Sequence, residues 1–296
     1  MNAPQALRTL ARDSGQGWVD RPGSVRLFYR ADDLTDPWTE PETVVLLHGV
    51  AENSVAWFAW IPQLARRYLV LRPDLRGFGR STPMRADYPW SLDALADDLD
   101  AVLQALGLAR ARPHLVAAKA AGMVALHFAA RHPGRLASLS LLGSPVRGRD
   151  VTALPGYGAE VVEQHGVAHW AANGQAARLG PGMPPAAHAW WTRMMGETPA
   201  STQAGFLRCL HGFDATLELE NIDCPTLVVT SGGSKEATSP ITAVSSIREW
   251  QSRIPDARLL VVPSPSYHLA ASEPEKTAEA VLAFIAGASA VDQAPL

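Results

Sequence analysis

The sequence predicts an α/β fold, a mainly parallel sheet flanked by helices, and three observations carry that expectation. From Gly17 to about Gly148, short apolar runs alternate with segments patterned at helical spacing. The run VVLLHG at 44–49 is apolar almost without interruption and ends in glycine, as a strand covered on both faces does. After residue 220 the alternation resumes with PTLVVTSG at 225–232.

Each element follows from a local signal. Two short strands are expected at Gly17–Asp20 and Val25–Tyr29, and VVLLHG is the third. Ser54–Arg67 reads as a helix and YLVLRP at 68–73 as the next strand. Ser91 is placed to cap a helix that runs through LDALADDLDAVLQAL and stops at Gly107. The strand HLVAA (114–118) leads into a helix over 120–134, ended by Pro133 and Gly134, and LASLSLLG (136–143) closes this half. The second half holds the strand 225–232, a helix near Ile241–Arg253, the strand RLLVVP at 258–263 and a last helix from Glu273 to Gly287.

Between the halves the composition changes. Residues 144–220 hold Trp170, Trp190, Trp191, Met194, Met195 and four histidines, broken by proline and glycine. The stretch reads as a helical cap over the C-terminal edge of the sheet, where open α/β sheets bind ligands. The expected division is a core of 17–143 and 221–287, a cap of 144–220, and tails at 1–16 and 288–296.

The chain has 296 residues, 47% hydrophobic and 19% charged, with a net charge of -3. That is ample for a large core and offers no basic footprint, so neither nucleic acid nor a membrane is expected as a partner. A small-molecule substrate is, with the protein as monomer or homodimer. Cys209 and Cys224 form no disulfide framework or metal motif, and the N-terminal segment lacks an apolar signal core, which points to the cytoplasm.

Three motifs resemble the α/β-hydrolase superfamily, in particular its esterase-like and carbon–carbon hydrolase branch. His48-Gly49-Val50-Ala51, with Trp57 beyond, is similar to the oxyanion-hole loop. Asp74-Leu75-Arg76-Gly77-Phe78-Gly79-Arg80-Ser81 resembles the segment after the fourth strand, an architectural element. HLVAAKAAGMVALHFAARHPG resembles the nucleophile elbow, where the family writes G-x-S-x-G and this chain writes Ala117-Ala118-Lys119-Ala120-Ala121. The resemblance implies an eight-stranded sheet with a helical cap, no cofactor, no metal, and oxyanion donors at the Val50 and Ala120 amides. It places Lys119 at the nucleophile, His268 at the catalytic histidine, and Ser234 where the acid is expected, with Glu236 the nearest carboxylate. His48, Gly49, Ala51, Trp190, Trp191, Met194 and Tyr267 are expected around the pocket.

A lysine is a different reagent from a serine. Acyl transfer to an amine would leave an amide, which hydrolyses far more slowly than an ester, so ordinary two-step ester turnover is disfavoured. Desolvation and the helix N-terminus both disfavour the ammonium form, and a neutral Lys119 could form a Schiff base or abstract a proton. Decarboxylation, lyase or C–C cleavage chemistry on a small apolar carbonyl compound would follow. A charged Lys119 would instead bind an enolate or carboxylate while His268 activates water. Two further alternatives are a relocated serine (Ser144, Ser234 or Ser266) and a catalytically inactive fold kept for binding a ligand or a protein. His165 and His169, four apart, could face one metal on a continuous helix. The acidic run Asp93, Asp97, Asp98 and Asp100 reads as a solvated helix face.

Overall fold

The computed structural model describes residues 3–13, 15–232 and 243–292. Its strands are β1 (Gln16–Arg21), β2 (Val25–Asp32), β3 (Thr43–Leu47), β4 (Leu69–Pro73), β5 (His114–Ala118), β6 (Ser138–Leu142), β7 (Thr226–Ser231) and β8 (Ala257–Val262). They join in one eight-stranded sheet of order β1-β2-β4-β3-β5-β6-β7-β8. The β1–β2 and β2–β4 pairs are antiparallel and all others parallel. The five residues of β3, TVVLL, and of β5, HLVAA, are buried throughout, which is why these segments read as unbroken apolar runs.

Helix α1 (Ala3–Asp13) precedes the sheet, and α2 (Ile61–Leu64) and α3 (Leu92–Ala105) flank β4 in sequence. The expected helix over 54–67 is thus a 3-10 turn at Ser54–Trp57 followed by a single turn of α2, the chain being shaped by loop hydrogen bonds rather than by helical spacing. Ser91 accepts from the Ala94 amide at 3.1 Å, the anticipated cap. Helix α4 (Ala121–Arg131) follows β5 directly.

Five helices stand between β6 and β7: α5 (Gly148–Thr152), α6 (Ala159–His165), α7 (Val167–Leu179), α8 (Pro185–Gly196) and α9 (Ala200–Leu210). The second half is completed by α10 (Val244–Gln251), α11 (Leu269–Ser272) and α12 (Pro274–Asp292).

Two further assignments differ from expectation. Residues 1–16 are more than a tail, because α1 buries Leu7 to 2% exposure while Arg8 and Arg12 both reach Asp33, at 2.9 and 3.1 Å. Asp98 is not on a solvated face: it is 4% exposed and receives both Arg76 and Arg21, whereas Asp93 and Asp97 lie outward against His127 and Arg131.

Candidate active site

The end of β5 turns sharply into α4, and Lys119 occupies the turn with φ +53°, a left-handed conformation that a side chain with a Cβ adopts at a cost of about 1–2 kcal/mol. The alanines around it are all nearly fully buried, Ala117, Ala118, Ala120 and Ala121, and larger side chains there would collide with the packed surroundings. Gly122, one turn on, leaves room for Ser144, whose Cβ would lie 2.3 Å from a Cβ added at Gly122.

The loop after β3 approaches the turn from the other side. His48 is fully buried and does not line the cavity beside Lys119: its Nδ1 contacts the Gly49 carbonyl at 2.9 Å and its Nε2 accepts from the Leu75 amide at 2.9 Å. It is therefore a brace between this loop and the 74–81 segment rather than a pocket residue. Asp74 adds to the brace by accepting from the amides of Ser54 and Arg80, at 2.6 and 2.8 Å. Gly49 is required by the lysine itself, because a Cβ there would lie 2.4 Å from Lys119 Cε. Ala51 also has a positive φ, +59°, and its carbonyl accepts from Thr198 at 3.2 Å, tying the loop to the residues after α8.

The residue that organises the site is Glu52, which sequence reasoning missed. It is 1% exposed; one carboxylate oxygen accepts from the Gly49 amide at 2.9 Å, and the other contacts both Lys119 Nζ, in a short hydrogen bond, and His268 Nε2 at 2.9 Å. Burial raises the Glu52 pKa, but the charge of Lys119 and then His268 outweigh it and hold the carboxyl well below the usual carboxylate range. A lysine at a buried elbow demands a carboxylate within a few ångströms, and that demand is the signal that could have singled out Glu52, three residues beyond Gly49.

His268 is 3% exposed, and burial first, then the Lys119 charge, push its pKa below the ordinary 6.5 against the pull of Glu52. Its Nε2 contact to Glu52 lacks hydrogen-bond alignment, and its Nδ1 has no partner among the described residues. Trp191 packs edge-on against its ring at 5.0 Å. The peptide N–H of His268 donates to the Arg178 carbonyl at 3.0 Å, so α7 is stitched to the histidine loop.

Of these groups Lys119 borders a cavity of about 20 Å³, lined also by Val50, Ala120, Gly143, Pro145, Val151, Tyr157 and Tyr267, while Glu52 and His268 lie behind Lys119 outside that lining. The cavity has room for roughly one water. The amides of Val50 and Ala120 donate to no acceptor among the described residues. A wider surface groove of about 410 Å³ between α5 and α10 shares only Pro145 with it and carries Arg147, Asp150, Glu249 and Arg253, none of which joins the Lys119 cluster.

The structure thus brings Lys119, His268, Val50, Ala120 and Tyr267 together and leaves other expected pocket residues outside. Trp190 turns outward onto Phe58, 5.2 Å between ring centres. Met194 faces a separate cleft with Arg30 and Arg80. Ser234 and Glu236 lie outside the described residues. Ser266 is engaged with the Arg178 carbonyl and the His268 amide, and Ser144 has no partner, so neither hydroxyl is bonded to the His268 ring. Gly166, at φ +82°, ends α6 between His165 and His169; their rings still meet, 4.7 Å between centres, but no three-ligand metal cluster occurs among the described residues. No described helix is long and apolar enough to cross a membrane.

A family model described as the α/β-hydrolase fold matches residues 42–274. Among curated proteins, RutD from Caulobacter sp. (strain K31), named as a carbamate hydrolase, is 28% identical over 268 residues, covering 86% of this chain and 94% of its own length. Among solved structures, a thermophilic esterase from Thermogutta terrifontis superposes with a TM-score of 0.79 at 22% identity, covering 92% of this chain and 98% of its own. The enol-lactonase of Burkholderia xenovorans LB400 does so with 0.79 at 20% identity, covering 91% and 100%.

Proposed function

Because the chain belongs to the α/β-hydrolase fold family, we propose that it hydrolyses a small carbonyl compound by a route without an acyl-enzyme, Lys119 acting as a fixed positive charge. The observation that carries this reading is the Glu52 carboxylate shared between Lys119 and His268. An amine in a buried ion pair is held as ammonium and has no lone pair to attack with, which argues against the Schiff-base and amine-nucleophile routes. What an ammonium does well is stabilise negative charge as it develops on a substrate oxygen, and it lies beside two amides with free hydrogen-bonding capacity.

The division of labour follows from the electrostatics. A carbonyl oxygen at the Val50 and Ala120 amides is polarised by them and by Lys119. His268, kept neutral by burial and by Lys119, accepts a proton from water as the water oxygen bonds to the carbonyl carbon; the imidazolium that forms is stabilised by Glu52 at 2.9 Å and returns the proton to the leaving group as the C–O or C–N bond breaks. Glu52 is a positioning residue in this scheme. Since the cavity admits about one water in this closed arrangement, a substrate needs it to widen, and the packing of α7 and α8 on the histidine loop is what must give.

The test is a screen of short-chain esters, lactones and carbamates with the wild type and with Lys119→Met. Turnover that falls about 100-fold in the variant, with no serine labelled by a fluorophosphonate probe, is the expected outcome. Labelling of a serine, or equal turnover by the two proteins, contradicts it.

A further inference from the structure

Arg178 is the second cation of the site and the one left without a carboxylate. It is 0% exposed, projecting from α7 and folded back over Gly174, where an added Cβ would lie 2.5 Å from Nη1. Its Nη1 donates to the Ala171 carbonyl at 2.7 Å, its Nε contacts the Tyr157 hydroxyl at 3.4 Å, and its Nη2 has no partner among the described residues. The guanidinium lies 4.6 Å from the centre of the Trp170 ring and 5.2 Å from that of Tyr157, contacts that ease its burial without neutralising it. With His268 neutral, Lys119 and Arg178 are opposed within this enclosed region by Glu52 alone among the described residues.

The Arg178 charge is passed to the cavity through two phenols. The Tyr157 and Tyr267 hydroxyls are 3.1 Å apart, and both side chains line the cavity beside Lys119. Burial raises the Tyr157 pKa, yet Arg178 and then Lys119 bring it below its ordinary value, which makes its hydroxyl the stronger donor. Burial raises that of Tyr267 well above the ordinary value, so this hydroxyl stays protonated.

We infer that the substrate carries a carboxylate in addition to its reacting carbonyl, and that the paired hydroxyls of Tyr157 and Tyr267, backed by Arg178, receive it. The two hydroxyls hydrogen-bond each other here, and by giving up that bond both can donate to one carboxylate, whose charge balances the surplus cation. A neutral ligand leaves Arg178 buried and unbalanced, so the site discriminates by charge. This inference rests on the hydrolase reading for the chemistry of the ligand, but its binding arm does not need turnover.

The experiment pairs binding with kinetics. Succinate is expected to raise the thermal midpoint of the wild type, and succinamide, its neutral counterpart, is not. Monomethyl succinate is expected to be hydrolysed with kcat/KM roughly 10-fold or more above that of dimethyl succinate. Tyr157→Phe, which removes one hydroxyl and keeps the ring, should reduce that preference to about 3-fold or less and appear mainly in KM. Arg178→Lys, which keeps the charge, should retain part of the preference that Arg178→Met loses. Succinate stabilisation without turnover of either ester supports the carboxylate subsite while ending the hydrolase reading. Equal effects of succinate and succinamide, or ester turnover with no preference for the monoester, overturn the subsite alone.

Discussion

Arg76 and Lys119 are two cations buried alike, 8% and 6% exposed, each paired with a buried carboxylate, yet their surroundings differ in kind. Arg76 meets Asp98 through two nitrogens, Nε at 2.6 Å and Nη2 at 2.5 Å, and Arg21 adds a third contact at 2.9 Å. Both oxygens of Asp98 are taken, and none of the three residues lines the cavity beside Lys119. At Lys119 the contact is a single point charge, the carboxylate oxygen is shared with an imidazole that is not aligned to it, and two unused amides face the same small void. A saturated pair fixes architecture, whereas a pair with unspent capacity beside a cavity is equipped to act on something else.

The largest expected difference between the two regions is in activity. Lys119→Met should lower kcat by about 100-fold, whereas Arg76→Lys, which keeps the charge far from the reacting atoms, should leave kcat within about 3-fold; steady-state kinetics on one substrate checks both. Comparable losses in the two variants would erase the distinction.

Stability should separate them next. Glu52→Gln strands the Lys119 ammonium and should cost about 3–5 kcal/mol by urea denaturation, and adding Lys119→Met to it should recover most of that, because a buried pair replaced as a unit costs little. Activity should not return. Arg76→Lys should cost only about 1–2 kcal/mol, the worth of the lost second contact.

The pH response gives the smaller effects, and their sign is fixed. His268 in the fold lies below the ordinary 6.5, so folding favours its neutral form, and the stability it contributes is lost as pH falls below 6.5. Glu52 lies below its ordinary 4.5, so its contribution is present above that value and is lost as pH falls further. Thermal midpoints across this range should fall in two stages for the wild type, and the second should be weaker in Glu52→Gln. The acid limb of kcat/KM should lie below pH 6.5; a limb above it would contradict a neutral His268.

The same contrast explains what the sequence made legible. The central strands were readable because burial on both faces leaves a continuous apolar run, and the elbow because its small residues flank Lys119 in a fixed register. Asp98 was misjudged because a helix face gives no sign that Arg76, 22 residues away, will fold onto it. The helix α1 was hidden by its polar composition, since Leu7 is buried while Arg8 and Arg12 are held by Asp33. Glu52 and Arg178 escaped for a related reason: each is an ordinary charged residue in its own segment, and only tertiary packing places one against Lys119 and the other behind Tyr157.

The most direct test of Lys119 as a held charge is rapid-quench mass spectrometry of the intact protein during a single turnover of an ester it hydrolyses. The account predicts an unmodified chain at every time point, with and without borohydride, while product accumulates. An acyl or reduced-imine increment that maps to Lys119 and appears and decays at the rate of turnover would contradict it.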